Sequence, residues 1–267
     1  MKPYRLYKGA WLGVDESKEV LLSSVECDEL LRQGGFFVRN VYDFDAVENS
    51  SFWFVIKDNF GGLEELTASA RRDVRKSLRC YDIEPISADR LRAEGYRIFA
   101  DAQQTYKVKC DVVSREAFDA LINRYIAEGD KEFWGAISKD SGALVAVAIC
   151  TIKQRSCEYS TLKCLPSALK DGSQPYYGLI YRMNEYYLSE RGMRYVNDGA
   201  RSLTNHSNIQ PFLIQKFKFR KAYCRVNVVY KWYIGLLVKL LYPFRSWILL
   251  SKAKSLLTME AIARGDI

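Results

Sequence analysis

Histidine is almost missing from this 267-residue sequence, which contains only His206. A single imidazole excludes a metal centre built from several histidines. It also leaves at most one nucleophile to be activated by a histidine base, with no partner at motif spacing. The seven cysteines (Cys27, Cys80, Cys110, Cys150, Cys157, Cys164 and Cys224) include no CxxC pair and are odd in number. That pattern speaks against a zinc ribbon and a disulfide framework, and the cysteines read as reduced thiols in the cytoplasm. Met1 to Tyr7 lacks both the apolar stretch and the small-residue cleavage site of a signal peptide, which again points to a cytoplasmic location. There is no internal repeat.

Apolar and aromatic content is high instead: 48% of residues are hydrophobic and 13% aromatic, with 18 tyrosines. Such a chain packs a core, and its length suits one domain or two compact halves. The net charge of +8 implies attraction to an anion: nucleic acid, a phosphorylated cofactor or a membrane surface.

Gly35 to Tyr42 and Ser51 to Ile56 have the aromatic and β-branched content of strands. Leu63 to Leu78 lacks glycine and proline and carries Leu66, Ala70, Val74 and Leu78 at helical intervals. A strand at Tyr81 to Ile86 follows, then helices at Asp89 to Tyr106 and Ser114 to Glu128, the second capped by Ser114. Glu132 to Ile137, a turn at Lys139 to Gly142 and the apolar run Ala143 to Ile152 form a hairpin, with the second strand buried on both faces. A strand at Cys157 to Lys163 leads to a helix opened by Pro175 and running to Glu190. Arg194 to Gly199 is a short strand, Asn208 to Lys218 a helix, and Ala222 to Tyr230 a last strand. The alternation specifies an α/β fold.

The run Phe133-Trp134-Gly135-Ala136, the Gly142 turn and Leu144-Val145-Ala146-Val147-Ala148 resemble the central hairpin of GNAT acyltransferases. Pro175-Tyr176-Tyr177-Gly178-Leu179, Tyr195-Val196-Asn197-Asp198-Gly199 and Phe212 to Arg220 continue that order. With the basic stretch Ala70 to Arg79, the whole is similar to Fem-type proteins, which transfer amino acids to cell-wall precursors. The resemblance implies a GNAT-like mixed central sheet flanked by helices, in two half-GNAT lobes. It divides the chain into an N-terminal half (1–130), an acyltransferase core (131–231) and a C-terminal apolar helical tail (232–267).

GNAT chemistry needs little covalent machinery: positioning, deprotonation of an amine and stabilisation of an oxyanion suffice. The resemblance places the activated donor, acyl-CoA in most relatives, where two parallel strands part, with its phosphates on the next helix start, here Ser173, Gln174, Tyr176 and Gly178. The Gln/Arg-x-x-Gly-x-Gly/Ala phosphate loop of CoA enzymes is absent from the chain. Asp198 stands at a strand end where a carboxylate accepts a proton from an amine, although Asn-Asp-Gly is also an ordinary turn sequence. Tyr177 is a candidate proton donor to the leaving group. His206 completes the catalytic candidates, although a lone loop histidine is more often structural. Arg201 and Asn205 lie in the same loop, among residues that hold substrate. The Phe-Lys pair that Fem proteins carry in their late helix reads here as Phe212-Leu213, with Lys216 and Lys218 out of step. No metal is implied.

Arg71, Arg75 and Arg79 recur every fourth residue, beside Arg72 and Lys76. Like charges at that spacing disfavour a bare helix, so phosphates of a tRNA, a nucleotide-linked substrate or a lipid fit this face; pairing with Glu64, Glu65 and Asp73 is the plainer alternative. Trp232 to Leu250 is strongly apolar, but Pro243, Lys239 and Arg245 interrupt it, and a span of about 20 residues is not formed. Short amphipathic helices on the inner face of an anionic membrane, or packing against protein, are its two readings. Three functions stay open: an N-acyltransferase acting on a small-molecule, lipid or peptide amine, a tRNA-dependent aminoacyltransferase, and an inactive binding module at the membrane surface.

Overall fold

The computed structural model describes residues 4–15, 17, 21–105, 112–202 and 209–266. In chain order the elements are β1 (Tyr4–Tyr7), β2 (Ala10–Gly13), α1 (Ser24–Gln33), β3 (Phe37–Ala46), β4 (Phe52–Lys57), α2 (Ala68–Cys80) and β5 (Tyr81–Ile86). There follow α3 (Ala88–Gln104), α4 (Arg115–Glu128), β6 (Lys131–Ser138), β7 (Leu144–Ile152), β8 (Ser156–Cys164), α5 (Pro166–Lys170) and α6 (Pro175–Asn184). The last are β9 (Tyr195–Ala200), α7 (Ile209–Phe217), β10 (Arg220–Tyr230), α8 (Trp232–Leu241) and α9 (Ser251–Arg264). Residues 4–54, 200–202 and 221–266 pack as one unit, and 55–199 with 209–220 as another. The units interleave along the chain where the sequence reading drew contiguous segments (1–130, 131–231, 232–267), because β10 returns to pair with β3.

Helix starts follow the hydroxyl residues. Ser23, Thr67, Ser87 and Ser114 each accept the backbone N–H of the residue three positions on, satisfying one of the donors that a helix leaves unpaired. Ser23 and Glu26 form a reciprocal capping box, and it opens α1, a helix the sequence reading passed over. Thr67 explains a shifted boundary: the helix expected from Leu63 is a 3-10 turn at Gly62–Glu65, and α2 begins only after the cap.

In the larger unit, β5, β6, β7 and β8 pair antiparallel in sequence order, and β9 then lies parallel to β8. The side chains of β7 alternate between two covered faces, which its apolar run requires. Val147 and Ile149 pack with Leu91 and Ile98 of α3 and with Phe118 and Ile122 of α4. Ala146 and Ala136 pack on the opposite side with Tyr81, Ala168 and Tyr176, and α6 comes down over β5, β6 and β7 there. Small residues at that face let a helix backbone approach. The helix expected to run to Glu190 changes pitch, since Glu185–Glu190 is a π turn. Tyr187 of that turn accepts the indole N–H of Trp134 at 2.9 Å and donates to Glu132 Oε2 at 2.8 Å, so the pitch change is anchored in the core.

In the smaller unit, β1 and β2 form a hairpin, β2 runs parallel to β3, and β10 is antiparallel to β3. Cys27 and Leu31 of α1 close over Tyr4, Trp11 and Val38, and the buried Tyr4 hydroxyl donates to Asn40 Oδ1 at 2.6 Å. The chain ends in α8 and α9, which meet through Val238, Tyr242, Leu257 and Ala261.

Candidate active site

The parallel pair β8 and β9 is short. Ser156, Cys157 and Glu158 pair with Tyr195, Val196 and Asn197, and the pairing ends there although both strands continue. The next residue of β9 is Asp198. Gly199 then turns the backbone at φ +84°, where a side chain is strained, and its N–H donates to Asn197 Oδ1 at 2.9 Å. The Asn-Asp-Gly turn is therefore real, and it is Asn197, fully buried, that satisfies it. Asp198 is left free of that duty.

Burial raises the Asp198 carboxyl from its ordinary value near 4 to about 7, and the charge of Glu158 adds to the rise. A hydrogen bond from Gln210, on the first turn of α7, pulls in the opposite direction. Glu158 itself pairs with Lys153 at 2.9 Å, which limits its effect on Asp198. A carboxylate that titrates near neutrality is matched to proton transfer at physiological pH.

Tyr177 meets the same helix from the other side. Its ring stands edge-on to Phe212 of α7 at 5.1 Å between centroids, with Phe217 at 5.6 Å. Thus α7 carries Gln210 to Asp198 and Phe212 to Tyr177, and it brings two of the sequence candidates against one element. Gln210 gave no motif signal, since its role arises only from the fold. Burial raises the Tyr177 hydroxyl above its usual value, with Asp73 adding to the rise. Lys216 of α7 reaches Ser69 Oγ at 3.5 Å, so it faces the start of the basic helix.

The start of α6 is uncapped by any side chain: Gln174 is left-handed (φ 62°, ψ 48°) and Pro175 occupies the first turn. The surrounding groups have structural partners. The Ser173 hydroxyl lies between the Tyr81 hydroxyl and the Ala168 carbonyl, and the Ser173 N–H donates to Asp171 Oδ1 at 2.8 Å. The Tyr177 N–H donates to the Gln174 carbonyl at 3.0 Å. Tyr176 packs into the core with Tyr81, and burial raises its hydroxyl strongly. Gly178 is where α6 touches α2, with Ser77 against it.

That contact lays the basic helix beside the α6 start. A Cβ on Gly172, in the loop entering α6, would lie 3.4 Å from Lys76 Nζ. Arg71 is paired with Glu64 at 3.2 Å and donates to the Leu66 carbonyl; Arg72 is paired with Asp73 at 3.1 Å. Arg75, Lys76 and Arg79 are exposed and make no ion pair among the described residues. The five cations therefore divide into two neutralised ones and three available ones.

Arg201 belongs to the smaller unit. It donates to the Ser51 carbonyl at 2.6 Å and stacks on Trp53 at 4.5 Å, with Lys221 also over that ring at 4.1 Å. Asn205 and His206 lie outside the described residues.

No family model matches the sequence, and no curated protein matches it. Among solved structures, FemX matches with a TM-score of 0.56 at 10% identity, over 82% of this chain and 81% of FemX. A C-terminal domain assigned to a lysylphosphatidylglycerol synthetase of Agrobacterium fabrum matches with a TM-score of 0.51 at 12% identity, over 84% of this chain and 78% of that domain. The likeness is one of fold: a mixed sheet flanked by helices, shared with FemX, in the order of elements that the sequence implied.

Proposed function

We propose that the chain transfers an acyl or aminoacyl group from an activated ester to an amine, with Asp198 as the general base. The observation that carries this reading is a carboxyl raised to about 7 at the point where β8 and β9 cease to pair. The amine nitrogen attacks the ester carbonyl, its proton passes to the Asp198 carboxylate, and the bond from carbonyl carbon to carrier oxygen breaks. The carrier oxygen leaves with one proton, so none is gained or lost overall.

A tRNA-borne aminoacyl donor fits the three available cations of α2, because a row of exposed charges tracks a phosphate backbone rather than enclosing a small ligand. The solved structures similar in fold include a Fem-type aminoacyltransferase and a domain from a synthetase named for lysylphosphatidylglycerol, which supports aminoacyl transfer as the class. Acyl-CoA is the competing donor, favoured by the uncapped α6 start, whose free end suits a pyrophosphate. Asp171 beside that end and the absent phosphate loop weigh against it. Titration calorimetry with acetyl-CoA and filter binding with bulk aminoacyl-tRNA, each run at two salt concentrations, separate the donors. If neither binds, the transfer reading fails.

A further inference from the structure

Helix α8 buries too little of itself. At 100° per residue, Ile234 and Val238 point toward α9, where Val238 packs with Leu257 and Ala261. Trp232, Leu236 and Leu240 form one outward line, and Tyr233, Leu237 and Leu241 a second beside it. Together they leave about half of the helix circumference apolar and exposed. The turn that follows continues the surface: Phe244, Trp247, Leu249 and Leu250 are all exposed, Leu249 at 90% of its full accessibility and Trp247 at 79%. Contiguous apolar area on this scale marks a surface that meets something.

Charge says what it meets. From Lys231 to Met259 the chain carries Lys231, Lys239, Arg245, Lys252 and Lys254 and not one acidic residue. Lys239 stands at the edge of the apolar arc of α8, and Lys252 and Lys254 are exposed on the first turn of α9, just past Leu249 and Leu250. An apolar segment whose own charges are all cations, with tryptophans at both ends and the neighbouring carboxylate of Asp266 engaged by the Tyr242 hydroxyl, matches an anionic bilayer interface, where indoles sit at headgroup depth. A protein partner or a second copy would have to supply a strongly acidic rim. No helix among the described residues is long and apolar enough to cross a membrane. The ten residues of α8 reach about 15 Å, against roughly 30 Å of hydrocarbon, so the helix lies in the interface plane.

We propose that α8 and residues 242–250 dock this protein on the surface of an anionic phospholipid bilayer. The inference does not depend on the transfer reaction and stands or falls separately from it.

The test is flotation of the full chain with vesicles of equal parts phosphatidylglycerol and phosphatidylcholine, beside vesicles of phosphatidylcholine alone. The intact protein is expected to float with the anionic vesicles, with a blue shift of tryptophan emission and weaker binding at high salt. Trp247→Ser combined with Leu249→Ser and Leu250→Ser is expected to abolish flotation. Lys252→Glu with Lys254→Glu is expected to weaken partitioning on the order of tenfold or more. All five side chains lie outside the core, and circular dichroism melts confirm that the variants fold. Absence of flotation at low salt overturns the proposal, as does flotation unchanged in the triple variant. Light scattering gives the remaining outcome: a dimer that the triple variant dissociates, without vesicle binding, assigns the face to a second copy and also overturns it.

Discussion

Gly178 of α6 and Ser77 of α2 stand so close that a Cβ on the glycine would lie 2.5 Å from Ser77 Oγ and 3.1 Å from Ser77 Cβ. The serine hydroxyl is buried there without a hydrogen-bond partner. This contact holds the basic helix against the start of α6 and sets where Lys76 stands. Gly178→Ala is expected to cost about 1 to 3 kcal/mol through overpacking. Ser77→Ala alone should be neutral or slightly stabilising, because it removes an unsatisfied polar group. In the double variant the glycine penalty should shrink, since the nearest clashing atom is gone. Urea melts of the two single variants and the double measure that coupling, and strict additivity would contradict it.

Asp198→Asn should lower kcat/KM by about 100-fold or more, with binding of the donor retained. On the proposed reaction, activity of the unsubstituted protein should rise with pH through about 7, because the proposed base acts deprotonated. Gln210→Leu removes the hydrogen bond that favours the carboxylate, so the same limb should move to higher pH. A pH–rate profile of the two proteins checks the direction, and an unshifted limb would separate Gln210 from the base.

The raised carboxyl also bears on stability. Between an unfolded value near 4 and a folded value of about 7, the folded protein holds more protons than the unfolded one, so stability falls as pH rises through that window. Asp198→Asn removes this loss. Its Tm should exceed that of the parent at pH 8 and match it more closely at pH 4, a comparison that calorimetry provides.

Arg75→Ala, Lys76→Ala and Arg79→Ala should each weaken tRNA binding and reduce the salt dependence of log K by about one unit. Arg72→Ala, at a residue already paired with Asp73, should change the slope less. Equal effects across all four positions would mean that the pairing in the free protein does not persist in the complex.

Lys57 is almost wholly buried and its ammonium meets Glu65 at 2.9 Å. Removing the acid leaves a buried charge without its counterion. Glu65→Ala should therefore destabilise by about 3 kcal/mol. Lys57→Met with Glu65→Leu should recover much of that loss, and chemical denaturation distinguishes the two.

The order of elements from Thr67 to Tyr230 was legible because period and capping agree there: the apolar run of β7 and the Ser114 cap each have one interpretation. The 3-10 turn before Thr67 was not, since Leu63 and Leu66 keep helical spacing while the threonine cap sets the true start. Helix α1 was written in Ser23 and Glu26 but hidden by its short apolar content. Asp198 was named from a strand expected to end at Gly199, whereas β9 runs on to Ala200, and the rise of its carboxyl depends on burial and is opposed by Gln210, twelve residues away. The three cations left unpaired on α2 could be told from the two paired ones only once the positions of Glu64 and Asp73 were known.

The three-rung pairing of β8 with β9 also orders how the protein assembles. β6, β7 and β8 are joined by tight turns and close at low entropic cost, but β9 must wait for α5 and α6 to be laid down between. The rungs between β8 and β9 are thus formed late and are few, so that edge of β9 is expected to part more readily than the β7–β8 pairing. Native-state hydrogen exchange should rank the amides of β7 slower than those of β9.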